Sequence, residues 1–232
     1  MLKIVIITAV LLTSSFANNV SEPFCDHPDS KVLDCFCRTI QIRCRGGSNA
    51  SYDGAWKLFE TVPNLIELSF FSNFNFLPTQ MLAILPNLQE YRCAMTNITQ
   101  VPKYSFNNLY KLQIIDLSYN KLTIIDGHAF NNLPNLKRIL LYSNKIKTID
   151  ENAFITVPKL TALGLAKNNI EELPSIIKSL TSLNELDLKF NYIKTFIYEL
   201  LASMSQNFLS GISEFFISSK INLIKNILTD KN

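Results

Sequence analysis

Cysteines are the residues of this chain whose spacing points most directly to chemistry. Four of the five fall within a stretch of twenty residues near the amino terminus: Cys25, Cys35, Cys37 and Cys44. Such a cluster closes disulfides or binds a metal ion, and the paired Cys-x-x-Cys spacing that zinc sites favour is absent. We therefore predict two disulfides and no metal. Four cysteines allow three pairings, of which Cys35 with Cys37 is disfavoured because their side chains point to opposite sides of an extended segment.

Catalytic residue types are scarce elsewhere. The chain has two histidines, His27 and His128, and neither falls where several polar side chains are expected to converge. A catalytic site needs a nucleophile, a base and oxyanion donors together, and a phosphate site needs a glycine-rich loop. The sequence offers neither arrangement, so we predict no enzyme activity and no cofactor.

The amino-terminal residues predict that the protein is exported from the cell. Lys3 precedes an apolar run from Ile4 to Leu12, and Ser15-Phe16-Ala17 supplies small residues for cleavage after Ala17. These are the three parts of a secretory signal peptide (1–17), and the run is shorter than the ~20 apolar residues of a membrane span. We predict a secreted, extracellular protein with no membrane span. Sequons for N-glycosylation then become relevant, and they start at Asn19, Asn49 and Asn97.

A repeat in the sequence predicts the structural elements that position these residues. Leu112, Ile115, Leu117, Asn120 and Leu122 occupy the first, fourth, sixth, ninth and eleventh places of a frame that recurs about every 24 residues. We number places from the first leucine of each repeat. The frame starts at Leu65, Leu88, Leu112, Leu136, Leu160 and Leu183. This pattern is the signature of a leucine-rich repeat.

The chain from about Cys25 to Ile193 therefore resembles secreted extracellular leucine-rich repeat proteins with a cysteine-bearing amino-terminal cap. That broad family includes Toll-type receptor ectodomains, Slit-like guidance proteins and small matrix proteoglycans. The expected fold is an α/β repeat solenoid, a horseshoe with a curved parallel β-sheet on the concave side and loops and short helices on the convex side. The predicted units are the signal peptide, a cap with an incomplete repeat (18–64), six repeats (65–194) and a helical carboxyl cap without cysteines (195–232).

The resemblance also implies a pairing for the cap, Cys25 with Cys37 and Cys35 with Cys44. The fifth cysteine, Cys93, takes an inward place, and we interpret it as a buried free thiol; an intermolecular disulfide is the alternative. Beyond the repeats, Ile217, Ile221, Ile224 and Leu228 recur at helical spacing. We interpret that helix as a cap over the last repeat, with a partner-binding or membrane-surface helix as the alternative.

Two internal ladders are predicted by in-phase residues. Ninth-place asparagines should lie buried and bond the backbone of the turns on either side, because an amide carries donors and an acceptor. They are Asn73, Asn120, Asn144, Asn168 and Asn191. Phe106, Phe130 and Phe154 recur every 24 residues in the connecting halves, and we expect a stacked aromatic spine there.

Binding is expected on the outward places of the strands, which are places 2, 3, 5, 7 and 8. In the middle repeats these are Arg92, Met95, Asp116, Tyr119, Arg138, Leu140 and Tyr142. Tyrosine, arginine and methionine are enriched at protein interfaces. The next repeat has Ala162, Gly164 and Ala166 at such places, which predicts a bare strip open to a partner.

The predicted function is recognition of a protein or glycan partner by a soluble module or decoy, in innate immunity or signalling. The alternatives are a structural component of extracellular matrix, and a non-catalytic subunit or inhibitor of a secreted enzyme. Nucleic acid is not expected, because the net charge of +3 is small and no basic block is present. A monomer is favoured.

Overall fold

The computed structural model describes residues 33–38, 41–46, 59–71 and 75–193. The predicted signal peptide, the carboxyl-terminal helix, Cys25, Asn19, Asn49 and Asn73 lie outside these ranges. Apart from a short 3₁₀ segment at 59–61, ten strands, one α-helix and one 3₁₀ helix follow in chain order within the described residues. They are β1 (Leu33–Arg38), β2 (Gln41–Gly46), β3 (Glu67–Phe71), α1 (Thr79–Leu82), β4 (Glu90–Arg92), β5 (Ile114–Asp116), β6 (Ile124–Ile125), β7 (Arg138–Leu140), β8 (Thr148–Ile149), β9 (Ala162–Gly164), the 3₁₀ helix Ser175–Ser179 and β10 (Glu185–Asp187).

The main sheet has eight strands in the order β1-β2-β3-β4-β5-β7-β9-β10. β1 and β2 form an antiparallel hairpin, and every later pair is parallel and in register from repeat to repeat. β6 and β8 form a separate two-stranded parallel sheet. The predicted solenoid with a parallel sheet is therefore confirmed.

Each short strand begins at place 3 of its repeat, as the frame predicts, because apolar residues at places 4 and 6 alternate inward there. Ile115 and Leu117 of the central repeat are completely buried. The backbone ladder continues past the strand: the N–H of Leu117 donates to the carbonyl of Leu140 at 2.9 Å, and that of Cys93 to Asp116 at 2.7 Å. Successive repeats are thus joined over more backbone than the three strand residues.

Place 8 is a turn in every repeat from the second to the sixth. Its residue has a φ between 52° and 58°, a left-handed conformation that glycine or asparagine usually provides. The five residues are Met95, Tyr119, Ser143, Lys167 and Phe190. This turn ends the strand and directs the next residue, at place 9, back into the interior.

The ninth-place asparagines stabilise that turn by one repeated set of bonds. The Nδ2 of Asn144 donates to the carbonyls of Leu117 at 3.0 Å, Leu141 at 3.1 Å and Tyr142 at 3.3 Å, and its Oδ1 accepts from the N–H of Leu122 at 3.1 Å. The same pattern recurs at Asn120, Asn168 and Asn191. We expected bonds to the turns on both sides, whereas all these partners lie in the asparagine's own repeat or the one before it.

The aromatic spine is longer than the sequence suggested. Phe106, Phe130 and Phe154 stack with ring centroids 5.9 and 5.8 Å apart. Tyr91 meets Phe106 edge-on at 5.7 Å and Phe70 at 6.2 Å, and Phe59 continues the row at 6.4 Å. Tyr91 and Phe70 come from strand places, so the spine passes from the strand side to the convex side of the core.

The convex connections are tied together by polar side chains one repeat apart. Both carboxylate oxygens of Glu151 accept from Ser175, its N–H at 3.0 Å and its hydroxyl at 2.7 Å, and one also accepts from the N–H of Ile176 at 3.2 Å. Glu151 therefore caps the 3₁₀ helix of the following repeat. On the edge that precedes the strands, Lys111 Nζ donates to Asn87 Oδ1 at 2.6 Å.

Candidate functional site

The concave face is formed by the outward places of the parallel strands. At its amino-terminal half, Arg92 lies between two carboxylates: its guanidinium is 2.8 Å from Glu90 on the same strand and 3.7 Å from Asp116 on the next. Asp116 also accepts from the N–H of Ser118 at 3.0 Å, which fixes its side chain. The structure thus brings the predicted site residues Arg92 and Asp116 together.

Tyr142 lies across the next strand, and this corrects one prediction. A Cβ added to Gly164 would lie 2.2 Å from Cζ of Tyr142, so the ring rests directly on the glycine backbone. Ala162 and Ala166 are 6% and 7% exposed. The predicted bare strip is therefore not open to a partner, because the tyrosine side chain of the preceding repeat already covers it.

The electrostatic surroundings of Tyr142 show which groups share its region. Burial raises the pKa of its phenol, and the negative charges of Asp187 and Glu185 raise it further, while Arg138 acts in the opposite direction. Tyr142 is half-buried, whereas Arg138 is exposed and Leu140 is partly exposed. The ring is therefore an ordered aromatic surface between acidic and basic groups.

Met95 and Tyr119 do not lie on the strands, where they were predicted. Both are place 8 residues, so they project from the turn that follows the strand, and they are 66% and 52% exposed. Phe190, 62% exposed, continues this rim in the last repeat, with Lys167 Nζ 5.9 Å from its ring centroid. The rim borders the concave floor instead of forming it.

Two further residues of this face were missed by the sequence reasoning, and Gly164, predicted to be part of a bare strip, has a different role. Glu185 and Asp187 stand at places 3 and 5 of the last repeat, and Gly164 supports Tyr142. Both acidic residues stand at predicted outward places, but the predicted site included only residues of the middle repeats. No sequence signal links Gly164 to Tyr142, because the repeat pattern does not show which way a side chain turns across neighbouring strands.

Cys93 is free and completely buried, which confirms the predicted buried thiol. Burial raises the pKa of this thiol to about 12, and its Sγ lies 3.8 Å from the hydroxyl of Thr96. Tyr91 beside it is also fully buried, and its pKa is raised well above the usual value by burial. A thiol that stays protonated and is out of reach of solvent is a poor nucleophile.

Other predicted sites are placed as follows. Asn97, in its sequon, is partly exposed and Thr99 is exposed. Cys35 lies opposite Cys44 in the register of β1 and β2. Among the described residues, no group of three or more His, Cys, Asp or Glu side chains is arranged to hold a metal ion. In the same part of the chain, no helix has the length and apolar character needed to cross a bilayer.

Comparison with known proteins agrees with this architecture. Residues 94–141 and 125–170 match the family model described as Leucine rich repeat. The structure of a TLR13–ssRNA13 complex is similar with a TM-score of 0.57 and 25% sequence identity, over 69% of this chain and 23% of that chain. The APL1 leucine-rich repeat domain is similar with a TM-score of 0.57 and 24% identity, over 62% of this chain and 39% of that one.

The chain therefore spans well under half the length of either similar structure. No curated protein matches its sequence. These findings show leucine-rich repeats in a horseshoe-type solenoid.

Proposed function

We propose that this chain is a secreted, non-enzymatic binding protein that recognises a protein partner through its concave face. The leucine-rich repeat fold is commonly a protein-binding scaffold. The observation that carries the proposal is the position of Tyr142, whose ring rests on Gly164 of the next strand of that face. An aromatic ring that is already ordered loses little conformational entropy on binding, so its contact area contributes more to affinity.

Other residues of the concave face are also of the types that dominate interfaces. Arg92 is held by Glu90 and Asp116, and Tyr119 extends from the rim. Tyrosine and arginine are enriched among the residues that contribute most binding energy. The patch therefore combines an ordered floor with exposed side chains at its border.

A protein partner is favoured over nucleic acid by the charges of the strands. The TLR13 structure is a complex with ssRNA13, but this chain covers only 23% of that protein. At places 3 and 5 of the six described repeats, the acidic side chains outnumber the basic ones, Arg92 and Arg138. The acidic ones are Glu67, Glu90, Asp116, Glu185 and Asp187. Over all the outward places, Lys137, Lys167 and Lys189 bring the two signs into balance, so the face offers no excess of positive charge to attract phosphate groups.

Secretion is supported by the signal-peptide pattern of residues 1–17 and by the cysteine cluster that follows it. The register that sets Cys35 opposite Cys44 suits a disulfide, because facing Cα atoms of antiparallel strands are about 4.5–5.5 Å apart. The likeness to TLR13 and APL1 supports innate immunity as the setting.

The decisive experiment is affinity capture from the native fluid, followed by mass spectrometry and by binding measurements on the captured partner. The test variant is Tyr119→Ala with Tyr142→Ala. Its control is Tyr110→Ala with Ile155→Ala, which removes two exposed apolar side chains outside the strands. We expect the test variant to bind at least ~30-fold more weakly, at about 1 kcal/mol per ring, and the control to bind normally.

A partner that binds the test variant as tightly as the natural chain would show that recognition does not use the concave face. Co-sedimentation with collagen fibres, without any discrete soluble partner, would instead favour the matrix role.

A further inference from the structure

The charges on the concave face are unevenly paired. In its amino-terminal half, the guanidinium of Arg92 contacts both Glu90 and Asp116 and so balances one of their two negative charges. In the carboxyl-terminal half, no described basic side chain lies within ion-pairing distance of Glu185 or Asp187. Arg138 aligns with Glu185 two strands away, which corresponds to roughly 10 Å. Among the described residues, neither carboxylate therefore has an ion-pair partner, and Lys189, at place 7 of the same repeat, donates its backbone N–H to Asp187 at 3.1 Å.

The second feature is the aromatic ring beside these carboxylates. Gly164, on which the ring of Tyr142 rests, aligns with Asp187 on the next strand, so the ring and the acids of that strand belong to one region of the face, and their charges raise the pKa of the phenol. The ring is held in place by Gly164 beneath it. Carboxylates and an aromatic ring together attract a cation by charge and by the quadrupole of the ring.

Next to this region, two apolar side chains lie on the floor beside the charged residues Arg138 and Asp116. Leu140 and Ile114 occupy outward places of the two preceding strands, and both are partly exposed.

We propose that the bound segment of the partner carries a lysine or arginine close to an apolar residue. The cation lies among Glu185, Asp187 and the ring of Tyr142, and the apolar side chain lies on Leu140 and Ile114. This inference rests on the proposed function and specifies the chemistry of its partner.

The geometry also predicts the spacing in the ligand. Leu140 and Asp187 are aligned through Gly164, two strands apart, which corresponds to roughly 10 Å. An extended peptide that crosses the strands advances about 3.3 Å per residue. The apolar residue and the cation are therefore about three positions apart, as in Leu-x-x-Arg or Arg-x-x-Leu.

Capped tetrapeptides with the sequences Leu-Ser-Ser-Arg and Arg-Ser-Ser-Leu are suitable probes, with glutamine or glutamate in place of arginine as controls. Each is titrated into the ¹⁵N-labelled full chain at low and high salt and followed by NMR. We expect one or both arginine peptides to shift the amides near Gly164 and Asp187. We also expect high salt to reduce the advantage over glutamine, because it screens exposed charges.

The matched variants are Glu185→Gln with Asp187→Asn, and Glu60→Gln with Glu172→Gln as the control. Both pairs remove two negative charges, but the control charges are exposed and lie outside the strands. We expect the first pair to weaken the arginine peptides about fivefold and the control to leave them unchanged. No preference for arginine, including no binding by any peptide, overturns the inference, and so does an unchanged affinity in the first pair.

Binding of the captured partner separates the two proposals. Loss of binding with Tyr119→Ala and Tyr142→Ala but not with Glu185→Gln and Asp187→Asn leaves concave recognition standing and refutes the cation site. If neither pair affects the partner, both proposals are wrong.

Discussion

Gly164→Ala tests whether Tyr142 is ordered by the glycine beneath it. The added Cβ would lie 2.2 Å from Cζ, 2.5 Å from the hydroxyl oxygen and 2.6 Å from Cε2 of Tyr142, whereas ordinary contact begins at 3.4 Å. The ring must therefore move by roughly 1.2 Å or leave the strand. Gly164 does not have a positive φ, so alanine is compatible with the backbone and the effect falls on the ring.

The expected cost follows from the area that the ring buries. A fully buried tyrosine covers 150–250 Å², so half-burial corresponds to about 100 Å². At about 25 cal/mol per Å², complete displacement costs about 2.5 kcal/mol as an upper limit. Replacing glycine by alanine returns about 0.5–1 kcal/mol by restricting the unfolded chain. We therefore expect Gly164→Ala to lower the free energy of unfolding by about 1–2 kcal/mol.

A double-mutant cycle isolates this contact. In a Tyr142→Ala background, Gly164→Ala should be neutral or slightly stabilising, so the coupling free energy should be about 2 kcal/mol. In a Tyr142→Phe background, the cost should persist, because two of the three clashing atoms belong to the ring. Urea unfolding followed by circular dichroism measures all the variants. Equal costs in the natural and Tyr142→Ala backgrounds would refute the proposed support of the ring.

Three other predictions concern the scaffold. Asn168→Ala should lower the free energy of unfolding by about 1–3 kcal/mol in urea, because it leaves the N–H of Ile146 without an acceptor and removes one of the two hydrogen bonds to the carbonyls of Leu141 and Leu165; a loss below 0.5 kcal/mol would contradict this. The hydrogen bonds from Ser175 lower the pKa of Glu151 in the folded protein. The carboxylate therefore stabilises the fold at pH values above its unfolded pKa of about 4.3, and this stability is lost as the pH falls through the pKa of the folded state. Glu151→Gln should therefore be less stable than the natural chain at pH 7, by under about 1 kcal/mol for so exposed a group, and the difference should disappear in acid; a difference that does not depend on pH would exclude this explanation. Cys93 should resist alkylation in the native protein at pH 8 and react in guanidinium, as peptide mapping can show; rapid native labelling would mean that the thiol is accessible.

Much of the fold was predictable because its restraints repeat with the chain. Ile115 and Leu117 point inward for the same reason as their counterparts 24 residues later, and the strand begins at the same place each time. Phe106, Phe130 and Phe154 stack because a fixed period brings equivalent places together. Periodicity of this kind can be read in a sequence without coordinates.

The extension of the aromatic spine through Tyr91 and Phe70 was harder to predict from the sequence. These residues occupy strand places, while the other rings come from the connecting segments, so their contact depends on how the two halves of a repeat meet in the core. Similarly, the left-handed turn at place 8 moved Met95 and Tyr119 from the predicted strand surface to its rim. The strand period of two predicts a face only while the backbone remains extended.

The sequence by itself determined the repeat, the inward leucines, the buried asparagines and the row of outward places, because each depends on local periodicity. Only the tertiary structure decided which outward side chains form a surface. Tyr142 covers Gly164 and lies near Asp187, although these residues come from three different repeats. Such contacts depend on the direction of a side chain across neighbouring strands, and that direction is set by the space the next repeat leaves empty.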